Sequence, residues 1–65
     1  MAYRVSVNGQ VARREDGSEN MTQEDVYEMD VTPRQDIQIR SMMDELDRIG
    51  HRAEIREGIT VERIK

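Results

Sequence analysis

Residues 32–50 read Thr32-Pro33-Arg34-Gln35-Asp36-Ile37-Gln38-Ile39-Arg40-Ser41-Met42-Met43-Asp44-Glu45-Leu46-Asp47-Arg48-Ile49-Gly50. Three start signals coincide at the front of this stretch. Thr32 is a good N-cap, Pro33 suits the first helical position, and Gln35 stands three residues after the cap, where it completes a capping box. At 3.6 residues per turn, Ile39, Met42, Met43, Leu46 and Ile49 fall on one stripe about 120° wide, as expected of a helix that faces a core. Gly50 follows as the C-terminal cap, with His51 and Arg52 placed to meet the last carbonyls. The spacing therefore predicts one helix over Pro33–Ile49.

Upstream, Val26 to Thr32 places Tyr27, Met29 and Val31 on one face and Glu28 and Asp30 on the other, the period-two pattern of a strand. A short helix capped by Thr22, with Asp25 three residues on, competes for the same region. The strand reading aligns the apolar residues better and is preferred. Glu15 to Asp25 reads as a polar acidic loop whose one apolar residue is Met21. Before it, Tyr3, Val5 and Val7 alternate with Arg4 and Ser6 in a strand over residues 2–8. Asn8-Gly9 then makes a tight turn into a poorer return strand, Gln10 to Arg14.

Downstream, Arg52 to Arg56 and Ile59 to Ile64 form a hairpin around Glu57-Gly58, with Ala53 and Ile55 expected inward. A two-residue turn pairs Ile55 with Thr60. A three-residue loop with a bulge pairs it with Val61, and the apolar match favours the bulge. The expected fold is α+β, in the order β-β-β-α-β-β: a single helix on one face of a small, mostly antiparallel (mixed) sheet. The helix would cross over between parallel third and fourth strands. The open face would carry Arg4, Ser6, Glu28, Asp30, Arg52, Glu54, Arg56 and Glu62.

Size bounds function. A 65-residue chain makes one small domain, and such domains bury only about 60% of the surface that the unfolded chain exposes. The absence of cysteine removes disulfides and thiolate chemistry. The N-terminus alternates where a signal sequence would run apolar, and no stretch has the apolar length of a membrane span, so a cytoplasmic setting is the expectation. All but one of the ten basic residues are arginines, and they are scattered, as codon bias gives without a nucleic-acid site.

Chemistry-bearing patterns are few. Asp16, Ser18 and Asn20 fit the first three ligand positions of a calcium loop, but Met21 stands where glycine is needed and Tyr27 where a bidentate glutamate is needed. His51 is the sole histidine, which leaves no His pair and no Ser-His-Asp set. With no glycine-rich phosphate loop, no cofactor, metal or catalytic role is expected. Direct nucleic-acid binding is disfavoured too, because both tyrosines are expected on the apolar side of their strands and the net charge is −4.

The charge is unevenly spread: residues 15–30 hold seven acids and no base, −7, against +3 for the rest of the chain. Such a run is suited to docking on a basic surface that another protein uses for phosphates. On the helix, Asp36, Arg40, Asp44 and Arg48 form an alternating i, i+4 series. Ile37 lies about 180° from Leu46, an apolar residue ringed by polar ones, which is the composition of a contact point. The candidate partner-binding residues are thus Asp16, Glu19, Glu24, Asp25, Glu28 and Asp30 in the acidic segment and Ile37, Arg40 and Asp44 on the helix.

The function expected from these features is a non-enzymatic protein-binding module, an inhibitor or adaptor of the phage or mobile-element type that meets a basic, nucleic-acid-binding surface. The alternatives are a small dimeric nucleic-acid-binding or transcription-associated protein and a structural assembly subunit that pairs through strand edges.

Overall fold

A computed structural model describes residues 2–64. Strand β1, Tyr3–Val7, follows the alternation, with Tyr3 and Val5 buried and Arg4 exposed. Asn8 and Gly9 both take positive φ, 52° and 84°, the geometry of the hairpin turn whose twist matches the strands it joins. The return strand β2 is only Gln10–Val11, shorter than the expected Gln10 to Arg14. The Ala12 amide still bonds to the Val5 carbonyl at 2.8 Å before the chain leaves the sheet.

The acidic loop is fastened to the fold at its apolar residue. Met21 forms a two-bond bridge with Tyr3, at 2.9 and 2.8 Å, and is only 2% exposed. Between these anchor points the Arg14 amide donates to the Ser18 carbonyl across a turn at Gly17. The alternating oxygens that resemble a calcium loop bond to the loop's own backbone: Asp16 accepts from the Ser18 amide and the Ser18 hydroxyl from the Asn20 amide.

The third strand expected over Val26 to Thr32 is absent. A 3₁₀ helix at Glu24–Glu28 takes its first residues, and it corresponds to the competing reading. The Asp25 carboxylate accepts from both the amide and the hydroxyl of Thr22, at 2.8 and 3.0 Å. These bonds stabilise a helical turn locally, whereas Glu28 and Asp30 contribute little to a strand. The turn buries Val26 and leaves Tyr27 68% exposed, the reverse of the strand expectation.

Helix α1 spans Pro33–Ile49, with both halves of the Thr32–Gln35 capping box formed and Gly50 in the left-handed conformation at φ 75°. Ile39, Met42, Met43 and Leu46 are fully buried, while Ile49, on the last turn, is 45% exposed. The helix's final carbonyls are met by Arg63, which approaches those of Leu46 and Gly50 at 3.5 Å; His51 and Arg52, expected in that role, are exposed.

Strands β3, Ala53–Arg56, and β4, Ile59–Arg63, complete a four-stranded sheet in the order β2-β1-β4-β3. Every pairing is antiparallel, and the expected parallel crossover disappears with the missing strand. The sheet's inner residues Tyr3, Val5, Ile59 and Val61 meet the buried stripe of α1, with Met21 and Val26 closing the core. Burial, and then a hydrogen bond to Asp47, push the Tyr3 hydroxyl well above the usual phenol range, so it stays a proton donor.

The hairpin register also differs from expectation. Glu57 and Gly58 form a two-residue turn with φ of 52° and 80°, and Ile55 pairs with Thr60. This sends Ala53 and Ile55 to the open face and turns Glu54 and Arg56 toward the helix, where Arg56 bonds to Glu54 and Glu45. Two features hold the register. The Asn8 amide donates to the Gly58 carbonyl at 2.8 Å, and the Asn8 side chain lies so close to Gly58 that a Cβ there would meet its oxygen at 2.5 Å. The glutamate–arginine network satisfies charged groups that would otherwise face the helix alone. The open face consequently shows Arg4, Ser6, Val11, Thr60, Glu62, Ala53 and Ile55, with Arg4 paired to Glu62 at 2.7 Å. Of the residues expected there, Glu54 and Arg56 lie on the helix side, and Glu28, Asp30 and Arg52 belong to no strand.

Candidate functional site

Two large apolar side chains stand free of the core on neighbouring elements: Tyr27 on the 3₁₀ helix and Ile37 on α1, 68% and 64% exposed. The capping box positions them, because it starts α1 so that Ile37 faces away from the buried stripe. The preceding turn buries Val26 and so directs the next residue outward. Together with Met29, Val31 and Pro33 they line one shallow depression, which also touches Asp36 and Arg40.

Arg40 organises this surface. Its guanidinium bonds to Asp36 at 2.6 Å, donates to the Tyr27 hydroxyl at 2.8 Å and stacks over the ring with its central carbon 4.7 Å from the centroid. The exposed ring is thereby held in one orientation by a cation–π contact and a hydrogen bond, which lowers the entropy lost if a partner packs against it.

The acidic residues divide into those already engaged and those free to act outward. Glu19 bonds to Arg4 and Arg13, at 3.3 and 2.7 Å, and is neutralised within the domain. Asp25 is committed to Thr22, and the backbone hydrogen bond from that residue holds its carboxyl below the usual carboxylate range. Asp44 accepts from Gln23, so of the expected helix series only Asp36–Arg40 closes as an ion pair among the described residues. Asp16 serves its own turn. Glu24, Glu28 and Asp30 are exposed and make no ion pair among the described residues, and they precede and follow Tyr27 in the chain.

The structure therefore gathers Ile37 and Arg40 at one surface and gives Glu24, Glu28 and Asp30 outward-acting charge. It sets Asp16, Glu19, Asp25 and Asp44 to internal bonds. Tyr27 is the residue that sequence reasoning placed on the wrong side, and the signal for it was the Thr22–Asp25 spacing. The residues lining the depression include no nucleophile–base pair, and among the described residues no group of three or more His, Cys, Asp or Glu side chains is arranged to hold a metal ion. No helix of the described chain is long and apolar enough to cross a membrane. The depression combines apolar side chains with the Asp36–Arg40 ion pair. Comparisons with family models, with curated proteins and with solved structures found no match for this chain.

Proposed function

We propose that this chain is a non-enzymatic protein-binding module whose contact surface is the Tyr27–Ile37 depression and whose partner presents a basic face, such as one that binds nucleic acid. The observation that carries this reading is the pair of exposed apolar side chains, contributed by two elements, lining one depression and braced by Arg40. An apolar centre with a charged border is the anatomy of a small interface, and a tyrosine held in place is the kind of anchor that dominates binding energy. Glu24, Glu28 and Asp30, which make no ion pair among the described residues, supply the long-range attraction that steers such a module to positive charge. An inhibitor or adaptor acts in this way, by occupying a surface.

The test is quantitative binding to the protein captured by affinity purification from the native host. Tyr27→Ala and Ile37→Asp are each expected to weaken binding by about tenfold or more while thermal stability is kept. Raising salt to about 0.5 M is expected to weaken it further by screening. Binding that ignores both substitutions and salt rules the surface out.

A further inference from the structure

The sheet's two edges differ in length, two residues at β2 and four at β3. On the β1 side, β2, Ala12 and Met21 lie along the strand in turn and bond to Val7, Val5 and Tyr3. On the far side β3 pairs only with β4. The Arg63 amide donates to the Arg52 carbonyl, which fixes the alternation: residues 52, 54 and 56 turn their backbone groups toward β4, and Ala53, Ile55 and Glu57 turn theirs outward. Among the described residues nothing bonds to those outward groups. Ile55, at 76%, is also the most exposed of the large apolar side chains.

We propose that β3 pairs with β3 of a second copy of this chain, antiparallel, with Ile55 on the two-fold axis. The occupant follows from charge and register. If Ile55 lies opposite Ile55 of the second copy, Glu54 of each chain, bonded to its own Arg56, also lies opposite Arg56 of the other, so the four charges alternate in sign on the helix side of the sheet. Sliding by one step of the register toward Ala53 sets Glu54 against Glu54. Sliding by one step the other way sets Arg56 against Arg56. The favourable register is thus bracketed by two like-charge registers, and it pairs the outward backbone groups of Ile55 with their symmetry mates. Because the axis is perpendicular to the sheet, both helices stay on one face and the two four-stranded sheets become one of eight strands. The edge lacks proline, lysine or a bulge, and the charges that it does carry, Glu54 and Arg56, are the ones that a second copy matches with opposite charge. None of these residues belongs to the Tyr27 surface.

Sedimentation of the whole chain over a range of concentrations tests it. A monomer–dimer equilibrium is expected, with exchange of the Ala53, Ile55 and Glu57 amides slowing as the dimer forms. Ile55→Pro removes no intrachain hydrogen bond, since that amide faces outward, and is expected to abolish the dimer with the far-ultraviolet spectrum unchanged. Glu54→Arg is expected to raise the dimer dissociation constant by about tenfold, because both symmetry-related pairs become repulsive at once. The double variant Glu54→Arg/Arg56→Glu is expected to restore it. A chain that stays monomeric up to roughly millimolar concentration overturns the proposal. So does a dimer that survives Ile55→Pro, and a dimer indifferent to Glu54→Arg overturns the register.

Discussion

The segments 22–29 and 32–50 begin alike and end differently. Each opens on a threonine whose side chain bonds to the backbone amide three residues on, and in each that third residue returns a bond, Asp25 to Thr22 and Gln35 to Thr32. The first yields a five-residue 3₁₀ helix and the second a 17-residue α-helix. Behind Thr32 the apolar residues recur with helical period and four of them are fully buried; behind Thr22 only Val26 is. A capping box starts a helix, but burial of an apolar stripe decides how far it runs.

Removing the stripe should break the comparison most. Leu46→Ala opens a cavity in the core and is expected to cost about 3 kcal/mol in urea unfolding, close to the roughly 3–5 kcal/mol that a core of this size supplies. Val26→Ala deletes the short helix's one anchor. The loss expected is about 1.5–2 kcal/mol, with faster amide exchange confined to residues 22–29 if that helix opens on its own. Thr32→Ala, which keeps the stripe and removes the cap, should cost only about 1 kcal/mol, and the helical circular dichroism of the folded state should persist.

The smallest effect distinguishes the two boxes by pH. Asp25 titrates and Gln35 does not. Since Asp25's folded value lies below its unfolded one, near 4, it adds stability above that unfolded value, and the contribution is lost as pH falls through the folded value. Asp25→Asn should therefore flatten the acid side of the thermal stability profile, and Gln35→Ala should shift the profile without changing its acid slope.

The same contrast explains how much was legible in the sequence. The bounds of α1, its cap, its buried residues up to Leu46 and the exposure of Ile37 follow from local spacing, because cap and stripe agree. At residues 22–32 two local rules disagree: alternation groups Tyr27 with Met29 and Val31, while Thr22 and Asp25 favour a turn. What tips the balance is the burial of Val26 and Met21 against the sheet, a tertiary event that no window of sequence contains. Half of the candidate surface was hidden for this reason. Ile37 and Arg40 could be read from the helix, but the ring that Arg40 braces was signalled only by the Thr22–Asp25 spacing, which the alternation outweighed. The β3–β4 register was obscured in the same way, since apolar matching pointed to Val61 and the positive φ of Glu57, the Asn8–Gly58 contact and the Arg56 network set Thr60 instead.

The central pair of the sheet joins the two ends of the described chain, Tyr3 opposite Arg63 and Val7 opposite Ile59. Those pairings close the longest loops in the sheet among the described residues, so the step that completes the sheet carries most of its loop-closure entropy and should limit the folding rate. During synthesis the β1–β2 hairpin waits with one edge bare until β4 leaves the ribosome. Until then Tyr3 and Val5 lack the strand that completes their side of the core, and the exposed edge is open to wrong pairings.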